Sequence, residues 1–173
     1  MVAHGRGSLS LVVNLPYRAA PDLHRIGRLS PLPARRIVGT VRRDEAWARE
    51  RFADARVARL ATVSGDGSPH VVPIVYAVAG DRLISAVDRK PKATTDLQRL
   101  DNIAVNPFVS VLVDEYSDDW TQLWWARADG WARVLDEYDL APLIARYDQY
   151  RSEPPPGPAV VIEVDRWSGW SAS

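Results

Sequence analysis

Short apolar runs separated by tight turns follow one another between residues 57 and 87. Residues 57–63, 70–78 and 83–87 have the length and β-branched composition of strands. The links between them contain Asp66-Gly67 and Gly80-Asp81, where glycine supplies the positive φ that a hairpin turn needs. Because such short links cannot hold a crossover helix, the pattern predicts an antiparallel meander rather than β-α-β units.

Apolar residues three and four positions apart mark three helical segments. The first covers residues 44–55, where Asp44 can cap the helix and Glu45 favours its dipole. The second covers residues 94–100, with Thr94 or Thr95 as its cap, and the third covers residues 140–152. A proline-rich stretch, residues 154–158, ends the third helix because proline cannot continue it.

Four more strands are predicted in the second half of the chain, at residues 109–113, 120–128, 131–135 and 159–167. In the last of them Val160, Ile162 and Val164 alternate with Glu163 and Asp165. Asp129-Gly130 is predicted to be a hairpin turn between two of them, and the acidic residues 114–119 a loop. The strands and helices together predict a mainly β (α+β) fold. It is a small antiparallel barrel of six to seven strands with three short flanking helices, because closure removes exposed strand edges.

Charge is distributed unevenly along the 173 residues, although the formal net charge is zero. Residues 1–43 hold eight arginines and one acidic residue, whereas residues 44–173 hold 14 basic and 21 acidic residues. We therefore predict a basic, disordered N-terminal extension at 1–43 and a single domain at 44–173. A basic arm for an acidic partner and a start codon placed too far upstream are the alternatives for the extension.

Composition excludes several classes of function. The chain contains no cysteine, which excludes disulfide scaffolds, thiolate metal sites and cysteine nucleophiles and fits a cytoplasmic protein. No apolar run approaches the roughly 20 residues that span a bilayer, and the net charge does not favour nucleic acid or anionic membranes. His70 is the only histidine outside the extension, so we expect neither a histidine metal site nor a Ser-His-Asp triad.

Both lysines of the chain lie in one loop. Arginine makes up 20 of the 22 basic residues, yet Lys90 and Lys92 stand together beside Arg89. Lysine is a flexible point charge that suits phosphate oxygens, and Pro91 stiffens the loop before a predicted helix N-terminus. The loop is therefore a candidate anion site, with a solvated basic turn as the alternative.

Four of the seven tryptophans fall between residues 120 and 131. On a strand, Trp120 and Trp124 would share one face, whereas Trp125 and Arg127 would share the other. This number of aromatic side chains exceeds the need of one small core, so some are predicted to line a planar ligand or a subunit interface. Arg127 could stack or bind an anion beside Trp125, or form an ordinary ion pair.

Several segments, taken in this order, resemble the flavin and deazaflavin split-barrel superfamily that includes pyridoxamine 5'-phosphate oxidase. They are Leu60-Ala61-Thr62-Val63, Asp66-Gly67-x-Pro69-His70-x-Val72-Pro73, the lysine loop, and Asn106-Pro107-x-Val109-Ser110-Val111-Leu112-Val113-Asp114. The segment DWTQLWWARADG at 119–130 resembles an actinobacterial branch of oxidoreductases that depend on the deazaflavin coenzyme F420. The similarity covers residues 44–167, and the extension has no counterpart.

The resemblance implies a split barrel that forms a homodimer with two cofactor sites at the subunit interface. The site residues that it implies are Pro73, Ile74 and Val75 against the ring, Ser85 as a hydroxyl, and Arg89, Lys90 and Lys92 at the phosphate. Trp120 matches an aromatic residue that reaches the partner subunit's site. Where many relatives have an arginine-rich helix, residues 93–98 here are ATTDLQ, so we expect fewer cations for the polyglutamate tail of F420.

The implied activity is hydride transfer between coenzyme F420 and an unsaturated small organic substrate. Tyr76 and His70 are the candidates for a proton donor, with water as the alternative. One alternative function is an FMN-binding split-barrel flavoprotein, because a single phosphate needs only Lys90 and Lys92. Another is a cofactor carrier without turnover, since a fold does not guarantee activity. The sequence does not name the substrate.

Overall fold

The computed structural model describes residues 41–88 and 97–173. The strands of this part are β1 (Val41–Arg43), β2 (Ala58–Val63), β3 (Pro69–Ile74), β4 (Ala77–Ala79), β5 (Arg82–Ala86), β6 (Phe108–Glu115), β7 (Trp124–Leu135) and β8 (Ala159–Ser171). Its helices are α1 (Glu45–Asp54), α2 (Gln98–Val105), α3 (Ala141–Arg146) and α4 (Asp148–Ser152), together with a 3-10 turn at Trp120–Gln122. The strands form one antiparallel sheet in the order β3-β2-β6-β7-β8-β5-β4, and β1 pairs with β8.

The predicted mainly β antiparallel fold is confirmed, with eight strands instead of six or seven and four helices instead of three in the described residues. Helix α1 begins as the sequence predicts, because the Asp44 carboxylate accepts a hydrogen bond from the Trp47 N–H at 2.9 Å. Phe52 on its inner face is fully buried and packs edge-on against Tyr76 and Trp167. Helix α1 thus covers the core at β8.

The core lies on the inner face of the curved sheet. Alternate residues of each strand point inward, as predicted for Val160, Ile162 and Val164. The largest fully buried side chains include Leu60, Leu83, Val109, Val111, Val113 and Ile162. A smaller cluster around Leu143, Tyr147 and Tyr150 packs α3 and α4 against β4 and β5. None of the described helices is long and apolar enough to cross a membrane.

The predicted single strand at residues 70–78 is wrong, because the chain forms β3 and β4 with a break at Val75 and Tyr76. Strand β3 pairs with β2, whereas β4 pairs with β5, so the break carries the chain between the two ends of the sheet. At the break, the Tyr76 N–H donates to the Tyr147 hydroxyl at 3.2 Å. The same hydroxyl donates its proton toward the carbonyl oxygens of Arg56 and Tyr76, at 2.7 and 2.9 Å. A side chain therefore replaces the missing strand partner.

The predicted hairpin turn at Asp129-Gly130 is also wrong, because β7 continues through it as one strand. The partner on β8 changes from Arg166, opposite Asp129, to Val164, opposite Gly130. Asp165 is thus the extra residue of a β-bulge. A Cβ atom at position 130 would lie 2.1 Å from the Glu163 carbonyl oxygen, so glycine serves here for close backbone approach.

The remaining differences concern element ends. The predicted strand at 120–128 starts only at Trp124, because the 3-10 turn precedes it. The third predicted helix divides into α3 and α4 at Tyr147, which has an extended conformation. Helix α2 begins at Gln98 after the extended N-cap residue Leu97, instead of at residue 94, and continues to Val105. The predicted caps Thr94 and Thr95 lie outside the described residues.

Strand β8 extends beyond residue 167 to Ser171 because β1 and β7 pair with its end from both sides. Val41–Arg43, the last residues of the predicted extension, therefore belong to the sheet. Residues 1–40 lie outside the described part of the chain.

Candidate functional site

A cavity of about 230 Å³ lies where the break between β3 and β4 meets the end of β5. Its lining consists of Pro73, Ile74, Val75, Ser85, Ala86, Asp88 and Arg99. Four of these residues, Pro73, Ile74, Val75 and Ser85, are those that the sequence resemblance assigns to the cofactor. The fold therefore brings together residues of two strands that are not neighbours in the sheet.

The wall of this cavity includes a sheet edge. In the described residues, β3 pairs with β2 alone, so the far side of β3 has no strand partner. A strand edge presents backbone N–H and C=O groups that can bind a polar partner. Pro73 and Ile74 therefore offer an apolar surface at a strand edge, where Pro73 can contribute only its carbonyl oxygen because it lacks an N–H.

Ser85 is buried and has a defined hydrogen bond. Its hydroxyl donates to the Val75 carbonyl oxygen at 2.8 Å, which ties β5 to the break after β3. The hydroxyl proton is therefore engaged, and the oxygen lone pairs remain able to accept a hydrogen bond. Ser85 fixes the shape of the cavity wall and can serve a ligand only as an acceptor while this bond is made.

Arg99, in the first turn of α2, is a lining residue that the sequence reasoning missed. Burial lowers the pKa of its guanidinium from the usual value, and the nearby negative charge of Asp88 opposes that effect. Arginine remains charged at neutral pH even so. The sequence does place Arg99 directly after residues 93–98, near the start of the predicted helix that follows the basic loop. That position could have marked Arg99 as a further cation for the site.

The predicted phosphate-binding residues Arg89, Lys90 and Lys92 lie outside the described residues. Asp88, the last described residue before them, lines the cavity. The described lining thus carries one basic and one acidic side chain, Arg99 and Asp88. An anionic group would need further cations, and the assignment of the basic loop to it remains a prediction.

Neither candidate proton donor reaches the cavity. Tyr76 is fully buried, and its hydroxyl donates to the Phe52 carbonyl oxygen at 2.7 Å. Desolvation raises the pKa of this phenol, and the geometry gives Tyr76 a structural role. His70 is half-buried on β3, and its buried Nδ1 atom has no hydrogen-bond partner among the described residues. It is not part of the described cavity lining.

Trp120 also lies away from the cavity of its own chain. It is 73% exposed in the 3-10 turn, which Asp119 caps. The Asp119 carboxylate accepts hydrogen bonds from the Thr121 N–H at 3.0 Å and the Thr121 hydroxyl at 2.6 Å. The turn therefore leaves the indole ring of Trp120 largely exposed.

Comparison with solved structures shows the same fold in several proteins. A FAD-binding protein from Mesorhizobium loti is 22% identical, with a TM-score of 0.60 over 78% of this chain and 99% of that chain. A FAD binding protein from Mycobacterium smegmatis is 14% identical, with a TM-score of 0.52 over 76% and 97%. A heme binding protein from Mycobacterium smegmatis is 21% identical, with a TM-score of 0.58 over 77% and 56%.

Sequence comparison identifies the family. No curated protein sequence matches the chain. The family described as pyridoxamine 5'-phosphate oxidase matches residues 45–171, a range that runs from the start of α1 to the end of β8. Because this match spans the whole sheet except β1, the chain belongs to the pyridoxamine 5'-phosphate oxidase family of split-barrel proteins.

Proposed function

We propose that this protein is an oxidoreductase that transfers a hydride between coenzyme F420 and an unsaturated small organic substrate. The observation that carries the proposal is the cavity at the edge of β3, on which Pro73, Val75 and Ser85 converge. These residues match the cofactor site of the superfamily by position. The segment at 119–130 supports the deazaflavin over other cofactors, because it resembles the F420-dependent branch.

The lining is suited to a planar ring with a polar rim. Pro73 and Ile74 provide a flat apolar wall, and the backbone groups at the β3 edge can bind ring nitrogens and carbonyls. When bound, the coenzyme supplies the hydride chemistry, while the protein orients the ring and excludes water. We assign the phosphate to Lys90 and Lys92, and Arg99 adds a cation in the cavity.

A second copy of the chain completes the site in this proposal. The cavity of about 230 Å³ is smaller than the roughly 300–1,000 Å³ of sites that bury a whole small ligand. The chain also exposes several large apolar side chains, namely Trp120 (73%), Tyr116 (70%), Val71 (61%), Trp131 (50%) and Phe108 (46%). Exposed apolar surface of this kind is typical of protein interfaces. We therefore propose a homodimer in which Trp120 covers the partner's cavity.

A flavin is the second candidate cofactor. Two of the proteins with the same fold are described as FAD-binding, which favours a flavin. The lining described above would accept the isoalloxazine ring of FMN or FAD as readily as a deazaflavin, because backbone atoms and apolar side chains make the contacts. The two cofactors differ in what lies beyond the first phosphate, where the tail of F420 is anionic and extended.

The proposal is tested by titrating cofactor-free protein with F420, FMN and FAD in separate experiments. Binding is measured by the change in fluorescence. We expect F420 to bind more tightly than either flavin. Tight flavin binding without F420 binding would overturn the deazaflavin assignment. Replacing Lys90→Ala and Lys92→Ala together should weaken binding at least tenfold, whereas Arg133→Ala, an exposed arginine on β7, is the control that should not.

A turnover assay then separates an enzyme from a carrier. Reduced F420 is mixed with the protein and an α,β-unsaturated ketone, and the return of the oxidised coenzyme's absorbance is recorded. Oxidation that requires both the ketone and the protein supports the oxidoreductase. Binding without ketone-dependent oxidation across a panel of such acceptors would favour the carrier.

A further inference from the structure

A second and larger cavity, of about 530 Å³, opens on the outer face of the sheet at β1, β7 and β8. We call it the arginine pocket. Its chemically distinctive lining residues are Arg42, Arg43, Arg127, Arg166, Trp125 and Trp170. It shares no lining residue with the cavity at the β3 edge. The arginine pocket is therefore a separate feature of the molecule.

Strand register explains why these side chains meet. Arg42 pairs with Trp170, which in turn pairs with Trp125 on the next strand. Two residues along, Arg127 pairs with Ser168, and then Asp129 pairs with Arg166. Because alternate residues of a strand share a face, these side chains form adjacent rows on one surface. The indole rings of Trp125 and Trp170 thus lie beside the guanidinium groups of three arginines, Arg42, Arg127 and Arg166.

A buried carboxylate holds two of the arginines in place. Asp129 is only 3% exposed, and its carboxylate accepts hydrogen bonds from Arg166 Nη2 at 2.7 Å and Arg127 Nε at 3.1 Å. The Ser110 hydroxyl donates to the other oxygen at 2.5 Å. Burial alone would raise the pKa of Asp129, but these hydrogen bonds and the two positive charges outweigh burial and lower it. The carboxylate is therefore ionised and fixes both guanidinium groups.

The fixed arginines keep donors free for a ligand. The Arg166 side chain is 66% exposed and the Arg127 side chain is 39% exposed, although each is bound to Asp129. A guanidinium has five N–H donors, so one carboxylate leaves several of them available. Arg43 belongs to the opposite face of β1, because it pairs with Gly169, and it donates to the Ser171 hydroxyl at 2.8 Å and to the Ser173 oxygen. Arg42, on the pocket face, makes no ion pair with any described residue.

Charge in the pocket is unbalanced. Among the described residues, the guanidinium groups of Arg42, Arg127 and Arg166 share one face of the sheet with a single carboxylate, in a domain whose residues 44–173 carry more acidic than basic side chains. Clustered like charges repel one another unless an anion lies among them. The surplus of two positive charges suits a dianion better than a monoanion. The half-buried indole rings of Trp125 and Trp170 offer an apolar surface for a ring beside that anion.

We propose that the arginine pocket binds a phosphate monoester that carries a planar aromatic ring, such as a nucleoside monophosphate, with the phosphate on the arginines and the ring on the indoles. The volume of about 530 Å³ lies within the range of roughly 300–1,000 Å³ that small-molecule sites occupy. Planar guanidinium groups bind phosphate with paired hydrogen bonds, which a point charge cannot do. The arginine pocket shares no described lining residue with the cavity at the β3 edge, so this proposal does not depend on the proposed function.

The test is isothermal titration of the full-length protein with adenosine 5'-monophosphate, adenosine and inorganic phosphate at low ionic strength. We expect the monophosphate to bind at least tenfold more tightly than either fragment. Arg42→Gln should weaken binding at least fivefold without changing thermal unfolding, because Arg42 makes no ion pair among the described residues. Trp170→Leu should weaken monophosphate binding and leave phosphate binding unchanged. Arg133→Gln, with a side chain 62% exposed outside the pocket, is the matched control.

Three outcomes would overturn the proposal. The first is a monophosphate affinity no higher than that of inorganic phosphate, and the second is an unchanged affinity in Arg42→Gln. The third is a loss of monophosphate binding in the variant with both Lys90→Ala and Lys92→Ala, since the ligand would then occupy the basic loop. Retained monophosphate binding in that lysine variant, together with lost F420 binding, would support both sites independently.

Discussion

Gly130→Ala is the substitution that most directly tests the β-bulge between β7 and β8. An ideal Cβ atom at position 130 would lie 2.1 Å from the Glu163 carbonyl oxygen and 2.9 Å from both the Glu163 carbonyl carbon and the Val164 Cα. All three neighbours are backbone atoms, so no side-chain rotation can relieve the overlap. The two strands would have to separate by about 1 Å, since non-bonded carbon and oxygen atoms need roughly 3.3 Å or more.

The expected cost follows from what that separation breaks. Overpacking in a well-packed region lowers the free energy of unfolding by about 1–3 kcal/mol. The higher end applies here because the neighbours of the new Cβ are backbone atoms, which cannot rotate away. Separating β7 from β8 also weakens ladder hydrogen bonds, each worth about 1 kcal/mol net. We therefore expect Gly130→Ala to lower the free energy of unfolding by about 3 kcal/mol. For a domain of this size, the Tm should fall by about 10 °C.

The assay is urea unfolding at equilibrium, followed by tryptophan fluorescence and far-UV circular dichroism. Gly65→Ala is the matched control, because its new Cβ would meet only the Val105 Cγ1 atom at 3.3 Å, and Val105 is 67% exposed. That side chain can move, so the control should change stability by less than about 0.5 kcal/mol. If Gly130→Ala costs no more than Gly65→Ala, the close β7–β8 approach and the bulge assignment are wrong.

Three further substitutions test other contacts. Tyr147→Phe should destabilise the protein by about 1–3 kcal/mol in urea unfolding, because buried backbone groups of Arg56 and Tyr76 lose their partner; a loss below 0.5 kcal/mol would contradict this. Asp129→Asn should cost about 2 kcal/mol at pH 7. Since the pKa of Asp129 is lowered by folding, its stabilisation is complete above the unfolded value and is lost as pH falls through the folded value. The gap between wild type and Asp129→Asn should therefore shrink toward pH 2, and a constant gap would argue against the ionised carboxylate. Asp44→Ala should cost about 1 kcal/mol through loss of the α1 cap, with Asp44→Asn as the control that retains it.

Features that depend on neighbouring residues could be predicted from the sequence. The Asp44 cap of α1, the inward alternation of Val160, Ile162 and Val164, and the glycine turns are all present in the structure. Gly67 and Gly80 have φ values of 86° and 62°, as the turn chemistry predicts. Each of these features is fixed by interactions within a few residues or by the period of the strand, so local sequence contains the information.

The family and the fold class could also be predicted, because the order of several short segments carries them. The pyridoxamine 5'-phosphate oxidase match at 45–171 confirms the resemblance to this superfamily, and the F420-dependent branch stays a prediction. Four of the eight predicted cofactor residues line one cavity, and their assignment to a cofactor stays a prediction. The sequence did not identify Arg99, because its position in the cavity depends on where α2 packs.

Tertiary structure decided the features that join distant segments. Asp129-Gly130 is compatible with a hairpin turn and with a strand bulge, and only the approach of Glu163 selects the bulge. Tyr76 could be a proton donor by residue type, but burial beneath α1 commits its hydroxyl to the Phe52 carbonyl. In both cases the deciding contact comes from a residue far away in the chain, which local patterns do not encode.

The arginine pocket shows the same division most clearly. The sequence alone suggested that Arg127 stands beside Trp125 on one strand face, and cross-strand pairing added Arg42, Arg166 and Trp170 from β1 and β8. Strand period is a local property and is readable in the sequence. Strand order and register are set by how the whole sheet packs around its core, so the tertiary structure decides which side chains meet.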